Sequence, residues 1–222
     1  MQFLYHKDAG LEILEIDGES YKYLFRVRRF KVGDIIELRN LQDSKLYSYK
    51  ITSINKKSAI LNLIFGEEKE IKPSKNLTIG WCIIDPKTVE KSLPSLNEIG
   101  VFKIVFIKCA YSQANFKINI DRLKKIAINS SQQCGRSSLI EFEFAKSLED
   151  FLTKYPNSYL LNFSQNYYSD TLDISSIVVG CEGGLSQDEI ALFEDKKIVG
   201  LRGNLILKSE TAVTAIASKI LL

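Results

Sequence analysis

Histidine is almost missing from this 222-residue chain, His6 being the single example. A Ser-His-Asp triad or a histidine-based metal site would rest on that one residue near the N-terminus, so hydrolase and metalloenzyme chemistries lose their usual means. The four cysteines, Cys82, Cys109, Cys134 and Cys181, contain no C-x-x-C pair. Neither a zinc site nor a disulfide framework is indicated, and reduced, mostly buried thiols with no bound metal are expected. Long apolar runs are lacking too: none approaches the roughly 18 residues that cross a bilayer. The opening Met-Gln-Phe-Leu-Tyr-His has neither the basic region nor the cleavage site of a secretory signal. A cytoplasmic protein without membrane contact is therefore expected. G-x-G-x-x-G and G-x-x-x-x-G-K-[ST] are also missing, so a nicotinamide cofactor or a nucleoside triphosphate gains no support.

What is present is ordinary in bulk. Hydrophobic residues make up 45% and charged residues 26%, which fits one large or two small packed cores rather than a disordered chain. The charge, however, is unevenly placed. Residues 1–75 carry 14 Lys and Arg against 11 Asp and Glu, while the remainder carries 16 against 16, so the whole net charge of +3 sits in the first third.

Residues 1–72 are expected to form a small β-rich domain. The runs 35–38, 46–54 and 58–65 are short and partly alternating, and turns containing Asp, Asn and Lys separate them, as in a barrel or curled sheet. One helix is predicted over 19–30. The basic residues concentrate in Arg26-Val27-Arg28-Arg29-Phe30-Lys31, with Lys56-Lys57 in a later turn. Guanidinium groups suit phosphate, and a neighbouring aromatic ring suits an unpaired base, which is the footprint of an RNA reader. The same pattern also fits a solvated helix face that binds nothing.

Residues 71–76, with Pro73, read as a linker. Beyond it the pattern changes to alternation: strand 77–84, helix 87–99, strand 102–109, helix 121–133, helix 148–155 and strand 158–163. Such alternation predicts a parallel α/β sheet in a second domain, 73–222. Its last part repeats one construction twice. Ile177-Val178-Val179 is a β-branched run suited to a strand buried on both faces, broken by Gly180, Gly183 and Gly184, and followed by Ser186 and Glu189 at the spacing of a capping box. The second copy is Ile198 to Leu201, then Arg202-Gly203-Asn204-Leu205-Ile206-Leu207, then Ser209 as expected N-cap with Glu210 in the first turn. Two glycine loops at the carboxyl ends of neighbouring parallel strands frame a small-molecule crevice. Turn-forming glycines alone would also explain either loop taken singly.

At these residues the sequence resembles a known family. Gly180-Cys181-Glu182-Gly183-Gly184-Leu185-Ser186 with Glu189 is similar to G-P-E-G-G-[FL]-[ST]-x-x-E, and Leu205 to Ala212 is similar to R-x-L-R-T-E-T-A. Asn97-Glu98-Ile99-Gly100-Val101 looks like T-E-L-G-V, and Gln132-Gln133-Cys134-Gly135-Arg136 like E-Q-S/C-G-R. Tyr23 to Arg29 with Gly33-Asp34 resembles H-x-x-x-V-L-R-x-x-x-G-D, with Tyr23 at the histidine and Arg28 at the leucine. These are signatures of the RsmE family, bacterial 16S ribosomal RNA uridine N3-methyltransferases of the SPOUT class.

The resemblance implies an N-terminal PUA-like β-barrel that binds RNA and a C-terminal trefoil-knotted parallel sheet that binds S-adenosylmethionine. It implies further a homodimer and the 30S subunit as substrate. Carried over residue by residue, the cofactor is expected at Leu161, Asn162, Gly180, Cys181, Glu182, Gly183, Gly184, Leu201, Gly203, Leu205, Ile206, Leu207, Ser209 and Thr211. Arg136, Lys208 and Glu210 are the candidates for proton removal or stabilisation of an anionic uracil. Arg26, Arg28, Arg29, Lys31, Lys56 and Lys57 are the candidate RNA contacts. Four places depart from the family pattern: Cys181 replaces proline, Lys208-Ser209 replaces Arg-Thr, Leu205 replaces arginine, and Pro94-Ser95 replaces Gln-Lys. They keep open a second reading, a non-catalytic RNA-binding protein with a vestigial cofactor pocket.

Overall fold

A computed structural model of the chain describes residues 2–113 and 115–222. Two compact units emerge. One comprises the residues up to Lys72 together with Ile128–Ser138, and the other Pro73–Ala127 with Leu139–Leu222.

The first unit is a five-stranded sheet. Its elements are β1 (Leu4–Tyr5), β2 (Ile13–Ile16), a one-turn helix α1 (Gly18–Tyr21), β3 (Ile35–Arg39), β4 (Lys45–Ile54) and β5 (Ala59–Glu68). The strand order is β1-β3-β4-β5-β2, parallel between β1 and β3 and antiparallel elsewhere. Alternation places Leu14, Ile16, Ile36, Leu38, Ile51 and Leu61 in one core. The register between β4 and β5 shifts at Ser48/Tyr49 and at Ile51/Ser53, and such bulges bend the long strands. Arg39 is buried, and its guanidinium donates to the carbonyls of Ser44, Lys45 and Lys69, closing a turn that nothing in the local sequence announces.

The predicted helix over 19–30 is corrected. After α1 the backbone widens into a π-helical segment, Lys22–Val27, in which the Arg28 N–H donates to the Tyr23 carbonyl. Arg29 then adopts φ 61°, in the left-handed region, and ends the run. The widened turn lets Leu24 reach the core while Tyr23 stays half-buried.

The second unit contains β6 (Thr78–Cys82), α2 (Pro86–Ile99), β7 (Lys103–Ile107), α3 (Ile120–Cys134, whose last turns belong to the first unit), β8 (Glu141–Ala145), α4 (Leu148–Lys154), β9 (Tyr159–Leu161), β10 (Ser176–Val179), the short α5 (Gln187–Ile190), β11 (Ile198–Val199) and α6 (Ser209–Leu221). The six strands are all parallel, in the order β11-β9-β10-β6-β7-β8. All residues of β6 and β10 are buried, as a strand covered on both faces requires. Helix α2 begins with Asp85 accepting from the Thr88 N–H and Pro86 at its first position, and stops at Gly100 with φ 106°.

Strand β8 is not anticipated by the sequence reading. Its alternation Glu141-Phe142-Glu143-Phe144 is that of an edge strand: Lys103 on β7 takes both carboxylates, 2.9 Å from Glu141 and 2.7 Å from Glu143. Two further expectations are corrected. Cys82 and Cys109 form a disulfide, because parallel pairing of β6 with β7 brings the ends of those strands together with Cα atoms 5.7 Å apart. Cys134, exposed, and Cys181, buried, are not disulfide-bonded. Ser209 is the first residue of α6 rather than its N-cap, a position held by Lys208 without a side-chain cap. No helix among the described residues is long and apolar enough to cross a membrane.

Candidate functional site

Strand order assembles the C-terminal site. From β6 the chain runs outward through β7 to β8, then returns to the opposite side to build β9, β10 and β11. That reversal creates a switch point, and in open parallel sheets ligands lie beyond the carboxyl ends of the strands near it. Three loops start there side by side: Asn162 onward after β9, Gly180 onward after β10, and Gly200 onward after β11.

Backbone contacts fix these loops. The Asn162 N–H donates to the Val199 carbonyl at 3.0 Å, and Gly200 exchanges bonds with Asn166 and Tyr168, both 2.9 Å. A Cβ at Gly200 would collide with the Ser164 carbonyl oxygen, so only glycine lets the first and third loops run together. In the second loop the Gly184 N–H closes a tight turn on the Cys181 carbonyl at 2.9 Å, with Gly184 at φ 73°. Burial pushes the Cys181 thiol up, which keeps it neutral, and its Sγ contacts the Gly184 carbonyl at 3.4 Å.

Two side chains hold the glycine loop from outside. The capping box is present: Ser186 Oγ accepts from the Glu189 N–H, and Glu189 Oε2 accepts from the Ser186 N–H. The other Glu189 oxygen accepts from the Ala110 N–H at 2.8 Å, tying this loop to the segment after β7, where Tyr111 lies against Gly183. Ser209 does the second job. Its hydroxyl accepts from Trp81 Nε1 at 2.9 Å and donates to the Gly180 carbonyl. Trp81 and Ala110 had no part in the sequence reading, although the Ser186–Glu189 spacing marked one end of this network.

Most of the expected cofactor residues fall on the three loops, while Leu161 ends β9 and Ser209 and Thr211 lie in the first turn of α6. Leu161 and Asn162 are half-buried at the end of β9; Cys181 is buried; Glu182 and Gly183 are exposed. Leu201 is half-buried, whereas Gly203, Leu205, Ile206, Leu207 and Thr211 are exposed, Leu205 at 85% and Ile206 at 81%. Arg202 stacks over the Tyr167 ring at 5.6 Å, joining the third loop to the first. Of the three candidate catalytic groups, Lys208 and Glu210 flank the start of α6. Arg136 belongs to the first unit, is buried, and has its pKa lowered to about 10 by burial.

The basic residues of the first unit are brought together. Tyr21 donates to the Asn55 carbonyl at 2.6 Å and packs on Phe25, which holds the Lys56-Lys57 turn to the helical segment carrying Arg26 and Arg28. Arg26, Arg28, Arg29, Lys31, Lys56 and Lys57 are all exposed, and none forms an ion pair among the described residues. An unneutralised cluster of this kind is suited to phosphate.

The basic β-rich unit and the parallel sheet with its three adjoining loops are together similar to an RNA methyltransferase. Residues 71–221 match the RNA methyltransferase domain family, and residues 16–64 match the RNA methyltransferase PUA domain. Within that class the chain belongs to the ribosomal RNA small subunit methyltransferase E family, the RsmE family whose motifs its sequence carries. It is 38% identical to the Helicobacter pylori member over 98% of each chain. A solved structure from Thermotoga maritima, described as a predicted RNA methyltransferase, is 27% identical, covers 99% of this chain and 96% of its own, and superposes with a TM-score of 0.75. The Neisseria gonorrhoeae ribosomal RNA small subunit methyltransferase E, solved bound to S-adenosyl methionine, shares the fold at a TM-score of 0.80, with 18% identity and 99% and 96% coverage.

Proposed function

We propose that this protein methylates N3 of a uridine in 16S ribosomal RNA, using S-adenosylmethionine and taking the 30S subunit as substrate. The observation that carries the reading is the adjacency of three backbone-rich loops at the ends of β9, β10 and β11 in a chain belonging to this family. On the same reading the C-terminal sheet carries a trefoil knot, the protein is a homodimer, and it works in the cytoplasm with the ribosome.

The loops fit the cofactor. Gly183 and Gly184 present backbone without side chains, and the glycine at 200 lets two loops meet, so a nucleoside can be gripped by N–H and C=O groups. Leu161, Leu201 and Ile206 supply apolar surface, and Asn162 a polar end. When bound, S-adenosylmethionine supplies a methyl group on a sulfonium for in-line transfer. The rest falls to the chain: the loops orient donor and acceptor, which is worth many orders of magnitude in effective concentration. On this reading Lys208, exposed beside the third loop, stabilises negative charge on the uracil, and Glu210, in the first turn of α6, accepts the N3 proton. Arg26, Arg28, Arg29, Lys31, Lys56 and Lys57 hold phosphates.

Arg136 is assigned a place in maintaining its own unit, since burial leaves little of it for substrate. The non-catalytic alternative is not favoured, because the network around Gly180–Gly184 is built in full despite Cys181 in place of proline. Titration calorimetry of the full chain with S-adenosylmethionine tests the reading. One saturable site per chain supports it, and no heat of binding by the folded protein contradicts it.

A further inference from the structure

The first unit contains a cavity of about 280 Å³ that neither the cofactor loops nor the basic cluster accounts for. Glu19, Ser20, Tyr23, Asn129, Gln132 and Gln133 line it together with Leu4. Its size is just below the range of small-molecule pockets, roughly 300 Å³ upward, and suits a single planar heterocycle. Its lining is one phenol ring, three carboxamides, a hydroxyl and a carboxylate. Such a set offers hydrogen-bond donors and acceptors beside an aromatic face, and among the described residues it forms no cluster that could hold a metal ion.

Gln132 is held in a defined orientation. The Tyr5 N–H can only donate, so Gln132 must turn Oε1 toward it, at 2.8 Å; the Gln132 Nε2 then points at Asn129 Oδ1, 3.3 Å away. The chain of bonds leaves Asn129 Nδ2 as a donor without a partner among the described residues. The Gln133 side chain likewise makes no hydrogen bond there, and neither does the Tyr23 hydroxyl. Tyr23 is fixed by the π-helical segment that starts beside it, whose wide turn directs Leu24 into the core and leaves the Tyr23 ring half-buried against that core. Departures from α-helical geometry of this kind concentrate at functional positions. Glu19 is paired with Lys22 at 2.7 Å.

We infer that this cavity receives one unpaired nucleobase of the RNA substrate, stacked on Tyr23 and read along its edge by Asn129 and Gln133. Single-stranded bases are recognised in this manner, by an aromatic face together with amide donors and acceptors, and the stacked base contributes about 1–3 kcal/mol. A paired base has its edge occupied and cannot enter. The inference deepens the proposed function, on which it rests for the identity of the ligand as RNA, and adds a base-reading contact to the phosphate contacts of the basic cluster.

The test uses the full chain, with circular dichroism and melting temperature as checks on folding. Fluorescence anisotropy measures binding of a fluorescein-labelled single-stranded oligoribonucleotide of mixed sequence and of the same strand fully paired. Tyr23→Ala and Gln133→Ala are expected to weaken the single strand by roughly tenfold while leaving the duplex unchanged, and Tyr23→Phe to bind as the native protein does. Equal loss for both RNAs, or no loss for either, overturns the inference. Methyl transfer by the unaltered protein is measured in parallel. If transfer fails while the strand-selective loss is seen, the enzymatic reading falls and the base pocket stands; if transfer succeeds and the loss is missing, only the pocket falls.

Discussion

Trp81 on β6 donates its indole N–H to the hydroxyl of Ser209, 128 residues further along the chain, and that hydroxyl in turn donates to the carbonyl of Gly180. One buried oxygen therefore joins the central strand, the start of the last helix and the glycine loop. The indole is fully buried, so its N–H has no recourse to water. Ser209→Ala is expected to destabilise the protein by about 1–3 kcal/mol through the orphaned donor. It should also weaken S-adenosylmethionine, because Gly180 loses its tether. Thermal melting and calorimetry measure the two effects, and an unchanged melting temperature contradicts the account.

Glu189 serves as both half of a capping box and the anchor of the Ala110 backbone. Glu189→Ala removes both acceptor oxygens, and a cofactor affinity lowered about tenfold is expected, with a stability loss of roughly 0.5–2 kcal/mol from the cap alone. Glu189→Gln retains one acceptor oxygen and should restore part of the affinity. Equal affinities in the two variants contradict the bridging role.

Arg26 and Arg29 are exposed and without ion-pair partners among the described residues, so changing both to alanine tests phosphate binding directly. The slope of log K against log salt for single-stranded RNA should fall by about 1.4, two contacts at roughly 0.7 each. An unaltered slope removes these two side chains from the interface.

The edge of the C-terminal sheet should carry an acid-sensitive contribution to stability. Bonds from Lys103 and Lys154 hold the Glu143 carboxyl below its ordinary 4.5. A depressed carboxylate pKa stabilises the fold fully above the unfolded value and loses that contribution as pH falls through the folded one. Glu143→Gln is therefore expected to cost roughly 1 kcal/mol near neutrality, where the carboxylate is charged, and close to nothing once the pH lies below the folded value. Melting curves of both proteins across that range check it, and a cost that does not shrink on acidification contradicts it.

Thiol chemistry tests the bond between β6 and β7. Titration with an aromatic disulfide is expected to find one reactive thiol in the native protein, Cys134, two after denaturation without reductant, and four after reduction. Four thiols in the unreduced, denatured protein would show Cys82 and Cys109 unbonded.

Legibility in the sequence followed periodicity and local chemistry. Buried parallel strands such as β10 announce themselves by consecutive β-branched residues, and the Ser186–Glu189 capping box by its spacing alone. The glycine loops were legible because glycine marks where backbone must approach backbone. What escaped depends on distant partners. The Trp81–Ser209 bond spans most of the C-terminal unit, and Ser209 looked like a cap because its hydroxyl precedes a helix, when it serves a different strand. The Cys82–Cys109 pairing follows from strand adjacency, which spacing in sequence does not encode. The π-helical segment replaced a plain helix because core packing of Tyr21 and Leu24 overrides helical phase. Strand β8 carries an exposed Glu141 and a half-buried Glu143, and only the facing Lys103 makes that alternation an edge strand.

The most direct test of the central claim is methyl transfer from S-adenosylmethionine to 30S subunits that lack native methylation, run beside free 16S RNA, with digestion and mass spectrometry of the nucleosides. The account predicts new 3-methyluridine at a single site in the 30S sample. A folded protein that binds the cofactor and yields no 3-methyluridine with either substrate would contradict it.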